Sequence, residues 1–348
     1  MGDAAILSIG TAVPEFQVSQ SEIKEVVRVL FHNKIRYLEH MLPIFDHACI
    51  NRRFLAQPLE WYTQPHSFAE RNDLYQIMAL QLAEQAAGQA MEKAGISPSD
   101  IGMVVFVSST GIATPTLDTK LIQSLGMSRH VRRLPVWGLG CAGGSAGLAR
   151  AAEAVQTIQD KVVLLVVVEL CSLTFQQNDF SKSNLVGSGL FGDGAAAVLL
   201  AREGDGPYIM GNYSTLFDHS EGVMGWDIIE SGFKVRFSRD IPSIIRNYLP
   251  DLVAQACANW QVDKSAIENF VVHPGGVKVL KAYAESLALD DAVFHDAYDV
   301  LARYGNMSSA TIFFVLEKFL AENAAAGRFG LLLSMGPGFC AEQVLFQW

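Results

Sequence analysis

Residues 134–155 read LPVWGLGCAGGSAGLARAAEAV, an apolar strand-like run that stops at Cys141 and a helix of small residues that begins immediately after it. Backbone N–H groups at a helix start are unpaired and carry partial positive charge, so they favour a thiolate. Such a placement lowers a cysteine pKa from about 8.5 to roughly 3.5–7.5. A two-unit shift is about 2.7 kcal/mol of preferential thiolate stabilisation. Cys141 is therefore the candidate nucleophile. Cys49, Cys171, Cys257 and Cys340 read as small core residues. No CxxC pair occurs, so neither a disulfide framework nor a thiolate metal site is indicated.

Outward from this stretch, the chain repeats a pattern. A helix around Asn72–Ala94, with Leu74, Ile77, Met78 and Leu82 on one face, leads through GISPSDIG into the strand MVVFVSS (103–109). The same order recurs as a helix over Ile241–Trp260, the connection VDKSAIEN and the strand FVVHPGG (270–276). Each half then delivers a polar residue to a helix start and follows it with a very apolar strand. In the first half these are Cys141, a helix to about Gln159 and VVLLVVVEL (162–170). In the second they are Asn306 in YGNMSSA (304–310), a helix through Phe319 and GLLLSMG (330–336). The pattern predicts an α/β duplication, residues 1–205 and 206–348, with the boundary between Arg202 and Tyr208. The halves share pattern rather than residues.

Composition narrows the function classes. Half of the 348 residues are hydrophobic, 18% are charged and the net charge is −10, which argues against nucleic acid as a general partner. An anionic ligand would need a local basic patch. The longest apolar run, Val162–Val168, is too short to span a bilayer and reads as a strand buried on both faces. The start, MGDAAILSIG, has no positive n-region, and Ile6 stands where a myristoylation signal wants Ser or Thr. A cytoplasmic protein without an integral membrane segment is expected.

Two facing halves can bring equivalent loops to a shared site. Cys141 and Asn306 hold matching places, and His273 ends the second-half strand that corresponds to MVVFVSS, where open α/β sheets place their ligands. A cysteine, a histidine and an asparagine are predicted to converge. A competing signal is GxGxxG at Gly138, Gly140 and Gly143, with Glu169 ending the next strand, which would suit a dinucleotide. It leaves HPGG and GNMSSA unexplained.

The chain resembles the type III (chalcone synthase-like) polyketide synthases of the thiolase superfamily over essentially its whole length. The resemblance rests on GCAGG around Cys141, LVGSGLFGDGAAA (185–197), VVHPGG around His273, YGNMSSA around Asn306 and GPG (336–338). WGLGCAGG, ELCSLTFQ and EWYTQPHSFAERN look most like bacterial members similar to alkylpyrone synthases. The resemblance implies a thiolase-like fold, two α/β halves in five layers (αβαβα), acting as a homodimer on acyl-CoA and malonyl-CoA without metal or redox cofactor. It implies that Cys141 carries the acyl chain, that His273 pairs with the sulfur, and that His273 and Asn306 stabilise the enolate formed when malonyl-CoA loses CO₂. A medium- or long-chain fatty starter giving alkylpyrones, with some alkylresorcinol, is the finer expectation. A malonyl-CoA or aromatic starter is the alternative, and a catalytically silent CoA-binding scaffold is an alternative of another class.

Supporting residues carry over from the same resemblance. Phe191 matches a phenylalanine guarding the junction of CoA tunnel and cavity, and the second guard aligns near Val235, which implies a wider gate. Thr174 and Ser308 match cavity-lining positions, and Cys171 stands where plant chalcone synthases have threonine. Thr114 matches a residue that reaches into the neighbouring subunit's site. Three positions that are basic in the plant enzymes read His40, Pro43 and His47 here, so phosphate contacts fall to Lys278, Arg52 and Arg53, with Lys34 as a further candidate.

Overall fold

The computed structural model describes residues 4–158, 161–322 and 327–348. Its helices are α1 (Gln20–Phe31), α2 (Leu38–Met41), α3 (Pro43–Asp46), α4 (Phe68–Ala94), α5 (Asp118–Ser124), α6 (Gly143–Val155), α7 (Lys182–Leu190), α8 (Ile241–Trp260), α9 (Val277–Leu287), α10 (His295–Tyr304) and α11 (Thr311–Glu322). Its strands are β1 (Ala4–Ala12), β2 (Phe16–Ser19), β3 (Arg52–Leu55), β4 (Ile101–Val107), β5 (Arg132–Val136), β6 (Val162–Leu170), β7 (Asp193–Ala201), β8 (Tyr208–Leu216), β9 (Met224–Ile229), β10 (Gly232–Phe237), β11 (Ile267–Val272), β12 (Phe329–Gly336) and β13 (Cys340–Gln347).

Nine strands run in the order β11-β12-β13-β8-β1-β7-β6-β4-β5, and the duplication is visible in their pairing. In the first half β4 and β6 are parallel, then β7 and β1 follow antiparallel. In the second half β11 and β12 are parallel, then β13 and β8 follow antiparallel. The halves meet where Ala4 and Ala5 of β1 pair with Ile209 and Tyr208 of β8. Strand β6 is buried along its whole length, as its unbroken apolar run requires.

The layers follow from which helix each sheet face covers. Helix α4 lies on β1, β6 and β7, and α8 lies on β8 and α9. Helix α6 packs against β4, β6 and β7 of one half and β8, β12 and β13 of the other, with α11 beside it. The order is helix, sheet, paired central helices, sheet, helix. Among the described residues no helix is long and apolar enough to cross a membrane, and no cluster of three or more His, Cys, Asp or Glu residues is placed to hold a metal ion.

The structure corrects two local expectations. The buried face of α4 is Tyr75, Ala79, Leu82, Ala83, Ala86, Ala87 and Ala90, while Ile77 is 57% exposed. Alanines win because the helix lies very close to β1, so a side chain on Gly10 would run into the Ala86 carbonyl. Helix α6 ends at Val155, and Gln159 lies outside the described residues.

Close approach also governs α6. A Cβ on Gly144 would collide with the Ser309 carbonyl, and one on Gly143 would stand 2.9 Å from Val107 Cγ1. Gly144→Ala is expected to lower stability by about 1–3 kcal/mol, the usual cost of overpacking, in a urea titration. An unchanged midpoint would show that the two central helices have room to separate.

Candidate active site

Cys141 sits in a tight turn, Gly140–Ala142, that feeds α6. Two backbone amides hold the approach: Gly138 and Gly140 donate to Ser109 Oγ at 3.3 and 3.2 Å. Gly140 has φ +47°, and a side chain there would meet Pro337 Cδ at 2.8 Å. The nucleophile turn is thus pressed against the end of β12 from the other half.

The second half supplies the facing groups. His273 follows β11, its amide donating to Leu333 O at 2.9 Å. Both of its ring nitrogens are buried without a hydrogen-bond partner. Asn306 precedes α11, and its Oδ1 accepts from Ser308 N at 2.8 Å. That bond fixes the amide plane. Ser308 is held at φ 49°, the left-handed region, which costs a non-glycine residue on the order of 1 kcal/mol. Cys141, His273, Asn306 and Ser308 line one cavity of about 810 Å³. They are 7%, 2%, 2% and 6% exposed.

Burial dominates the electrostatics. It pushes the Cys141 thiol up to about 11, against hydrogen bonding from Ser308 and Asn306 that favours the thiolate. It pushes His273 down to about 3. Burial thus opposes either charge alone, while the Ser308 and Asn306 hydrogen bonds act in the direction of the thiolate.

The remaining predicted residues divide between two cavities. Phe191, Val235, Cys171 and Lys278 line the large one with Cys141. Thr174 and Arg53 line a second, mostly apolar cavity of about 70 Å³, which shares Cys171, Phe191 and Val235 with the first. Arg52 and Thr114 line neither, and Thr114 is exposed.

Arg53 is a correction. It is 1% exposed. Its Nη1 donates to Ser188 O and Phe191 O at 2.9 and 2.8 Å, and its Nη2 donates to Gln20 Oε1 at 2.7 Å. The guanidinium closes the C-terminal end of α7 rather than reaching solvent phosphates. It thereby steadies the segment that pairs Phe191 with Asn306, where Asn306 N donates to Leu190 O and Gly192 N donates to Asn306 O, both at 3.0 Å.

The structure adds two cavity-lining side chains that the sequence reading did not single out, Phe237 and Trp226, and gives Glu169 a different place. On β10, Val235 and Phe237 share a face, and Phe237 stands 6.0 Å from the Phe191 ring. Both line the large cavity, so an aromatic partner for Phe191 stands two residues beyond the expected position. Trp226, paired with Val235 across the β9–β10 hairpin, also lines the cavity and donates Nε1 to Ser109 O at 3.0 Å. Glu169 is wholly buried beside the nucleophile loop, accepting from Ser109 N at 2.9 Å and from the Ser309 hydroxyl. It does not act as a ribose-binding acid. The signal for it was legible: one charge ending an otherwise apolar strand.

Fold and site together fit a thiolase-like condensing enzyme, an acyltransferase whose cavity brings a cysteine of one half against a histidine and an asparagine of the other. Residues 1–204 match the N-terminal domain of chalcone and stilbene synthases and residues 209–347 match the C-terminal domain. The chain belongs to that family, the type III polyketide synthases, whose chemistry is decarboxylative Claisen condensation. It is 40% identical over 360 residues to a Bacillus subtilis (strain 168) protein named for chalcone synthase, with 99% of each covered. It is 37% identical over 352 residues to 1,3,6,8-tetrahydroxynaphthalene synthase of Streptomyces peucetius subsp. caesius, covering 99% of this chain and 93% of that one. The crystal structure of 1,3,6,8-tetrahydroxynaphthalene synthase from Streptomyces coelicolor A3(2) superposes with a TM-score of 0.94 at 29% identity, covering 99% of both chains. These relatives bear names of chalcone and aromatic-polyketide enzymes, so the likeness to alkylpyrone synthases narrows to the broader class.

Burial raises the Glu169 carboxyl from 4.5 to about 7. Between those values the folded chain holds a proton that the unfolded chain has released, so this group's stabilisation is full below 4.5 and is lost as pH rises through 7. Glu169→Gln is expected to flatten that part of the Tm–pH curve. Because the Glu169 charge also raises Cys141, the same variant should be alkylated faster at Cys141 at pH 8, read by peptide mapping. Slower alkylation would contradict this electrostatic picture.

Proposed function

We propose that the protein is a type III polyketide synthase that joins a small CoA-linked starter, malonyl-CoA itself or an aromatic acyl-CoA, to malonyl-CoA units and releases an aromatic polyketide. The observation that carries the reading is the cavity of about 810 Å³ with Cys141, His273 and Asn306 on its wall. The names of the relatives support an aromatic product.

Each residue has a role in this reading. His273 takes the Cys141 proton as sulfur attacks the starter thioester and passes it to the departing sulfur, so CoA leaves as its thiol. A proton moved from Cys141 to His273 creates both charges at once, so their attraction offsets a desolvation that opposes either alone. Burial keeps His273 neutral afterwards, and a neutral imidazole still offers one N–H. That N–H and the Asn306 amide hold the thioester oxygen of malonyl-CoA as the C–CO₂ bond breaks. The enolate carbon attacks the acyl group on Cys141, the thiolate is regenerated and the chain, longer by two carbons, is left on CoA. Loss of one such donor typically costs about 2.7–4 kcal/mol, or roughly 10²–10³ in rate. A homodimer belongs to the same reading, with Thr114 standing outside its own chain's cavity. So does a division of labour in which residues 1–205 carry the nucleophile and residues 206–348 carry His273 and Asn306.

A fatty acyl starter giving an alkylpyrone is the second reading, favoured by the apolar side cavity that opens past Cys171, Phe191 and Val235. At about 70 Å³ it admits a long chain only if its walls move.

Mass spectrometry of products from malonyl-CoA with malonyl, aromatic, hexanoyl and palmitoyl CoA starters decides between these. Cys141-dependent aromatic products are expected, absent in Cys141→Ala. Alkylpyrones from palmitoyl-CoA as the main products would favour the second reading, in which Val235→Phe should depress long-chain use more than short-chain use. No condensation with any starter would contradict both.

A further inference from the structure

Three helices begin at the mouth of the large cavity. Lys182 starts α7, Asp240 and Ile241 start α8, and Val277 and Lys278 start α9, and all five residues line the cavity. No side chain caps the first turn of α8 or α9. Leading N–H groups and the positive ends of three helix dipoles therefore gather in one place.

The side-chain charges run the same way. Lys182, Arg236, Arg239 and Lys278 line the cavity against one carboxylate, Asp240, in a chain of net charge −10. Arg236 is paired with Asp227 at 2.6 Å, and Asp240 accepts from Ser238 Oγ at 2.8 Å. Lys182, Arg239 and Lys278 are exposed and have no ion-pair partner among the described residues. Cations gathered in this way repel one another and raise the potential of the cleft for an anion. The buried part of the lining carries no formal charge and includes the unpartnered ring nitrogens of His273. A molecule that fits this gradient is anionic at one end and uncharged at the other. His40, Pro43 and His47 do not line the cavity.

We propose that Lys182 and Arg239, together with Lys278, bind the phosphate groups of the CoA thioester at this mouth, with the uncapped first turn of α9 adding backbone N–H donors. This rests on the CoA-thioester reading above. It moves the phosphate anchor to the start of α7 and the residues that follow the β9–β10 hairpin.

The test is calorimetric titration with CoA and with pantetheine, which lacks the phosphates, on the wild-type protein, Lys182→Glu and Arg239→Glu. Lys120→Glu, an exposed lysine outside the cavity, controls for net charge. Each of the first two variants is expected to weaken CoA about tenfold, the loss of one charge-assisted contact, and to flatten the salt dependence of binding. Pantetheine binding, and all binding to Lys120→Glu, should not change. Unchanged CoA affinity in both variants, or equal losses for CoA and pantetheine, would overturn the assignment. Turnover of malonyl-CoA by the same wild-type preparation separates the two claims. CoA binding that depends on Lys182 and Arg239 without condensation supports the phosphate site and contradicts the proposed reaction.

Discussion

Helix α6 is squeezed on both faces, one against β4 and β6 and the other against β12 and β13. The first turns of the helix have no room for large side chains and read Gly143, Gly144, Ser145, Ala146 and Gly147, while Arg150 and Glu153 take the one strip that reaches solvent. The close approach lets Gly144 touch the Ser309 carbonyl and Ser145 hydrogen-bond Ser334 across the halves. What precedes α6 is then carried to the seam as well. Cys141 meets the Asn306 turn because the helices that follow those two residues are packed side by side.

The seam also sets the electrostatics of the site. Burial penalises both a Cys141 thiolate and a His273 imidazolium. Against that penalty, the Ser308 and Asn306 hydrogen bonds to sulfur favour the thiolate. Asn306 is oriented by the Ser308 amide, while Phe191 is bridged to Asn306 and braced by Arg53. Phe191 and Asn306 are parts of one backbone arrangement.

Much of this was legible in the sequence because each signal was local. An unbroken apolar run marked β6, helix-length periodicity marked α8, and strand-to-helix junctions marked Cys141 and Asn306. The missing parts depend on distances that periodicity does not encode. Ile77 fits an apolar face, yet the sheet lies so close that alanines take that face. Arg53 reads as a phosphate ligand by charge, but β3 turns it inward onto backbone carbonyls. Phe237 became the partner of Phe191 only through the register of the β9–β10 hairpin, and Lys182 and Arg239 lie far apart in sequence until α7 and the segment entering α8 meet at the cavity mouth.

The most direct test of the central claim, that the seam between the halves makes Cys141 the acyl carrier, is peptide-mapping mass spectrometry after brief mixing with a starter acyl-CoA. The mass of one acyl group on the Cys141 peptide of the wild-type protein, absent in Cys141→Ala and slowed in His273→Ala, is the expected result. Acyl groups on another cysteine, or an unacylated Cys141 in a protein that still condenses malonyl-CoA, would contradict it.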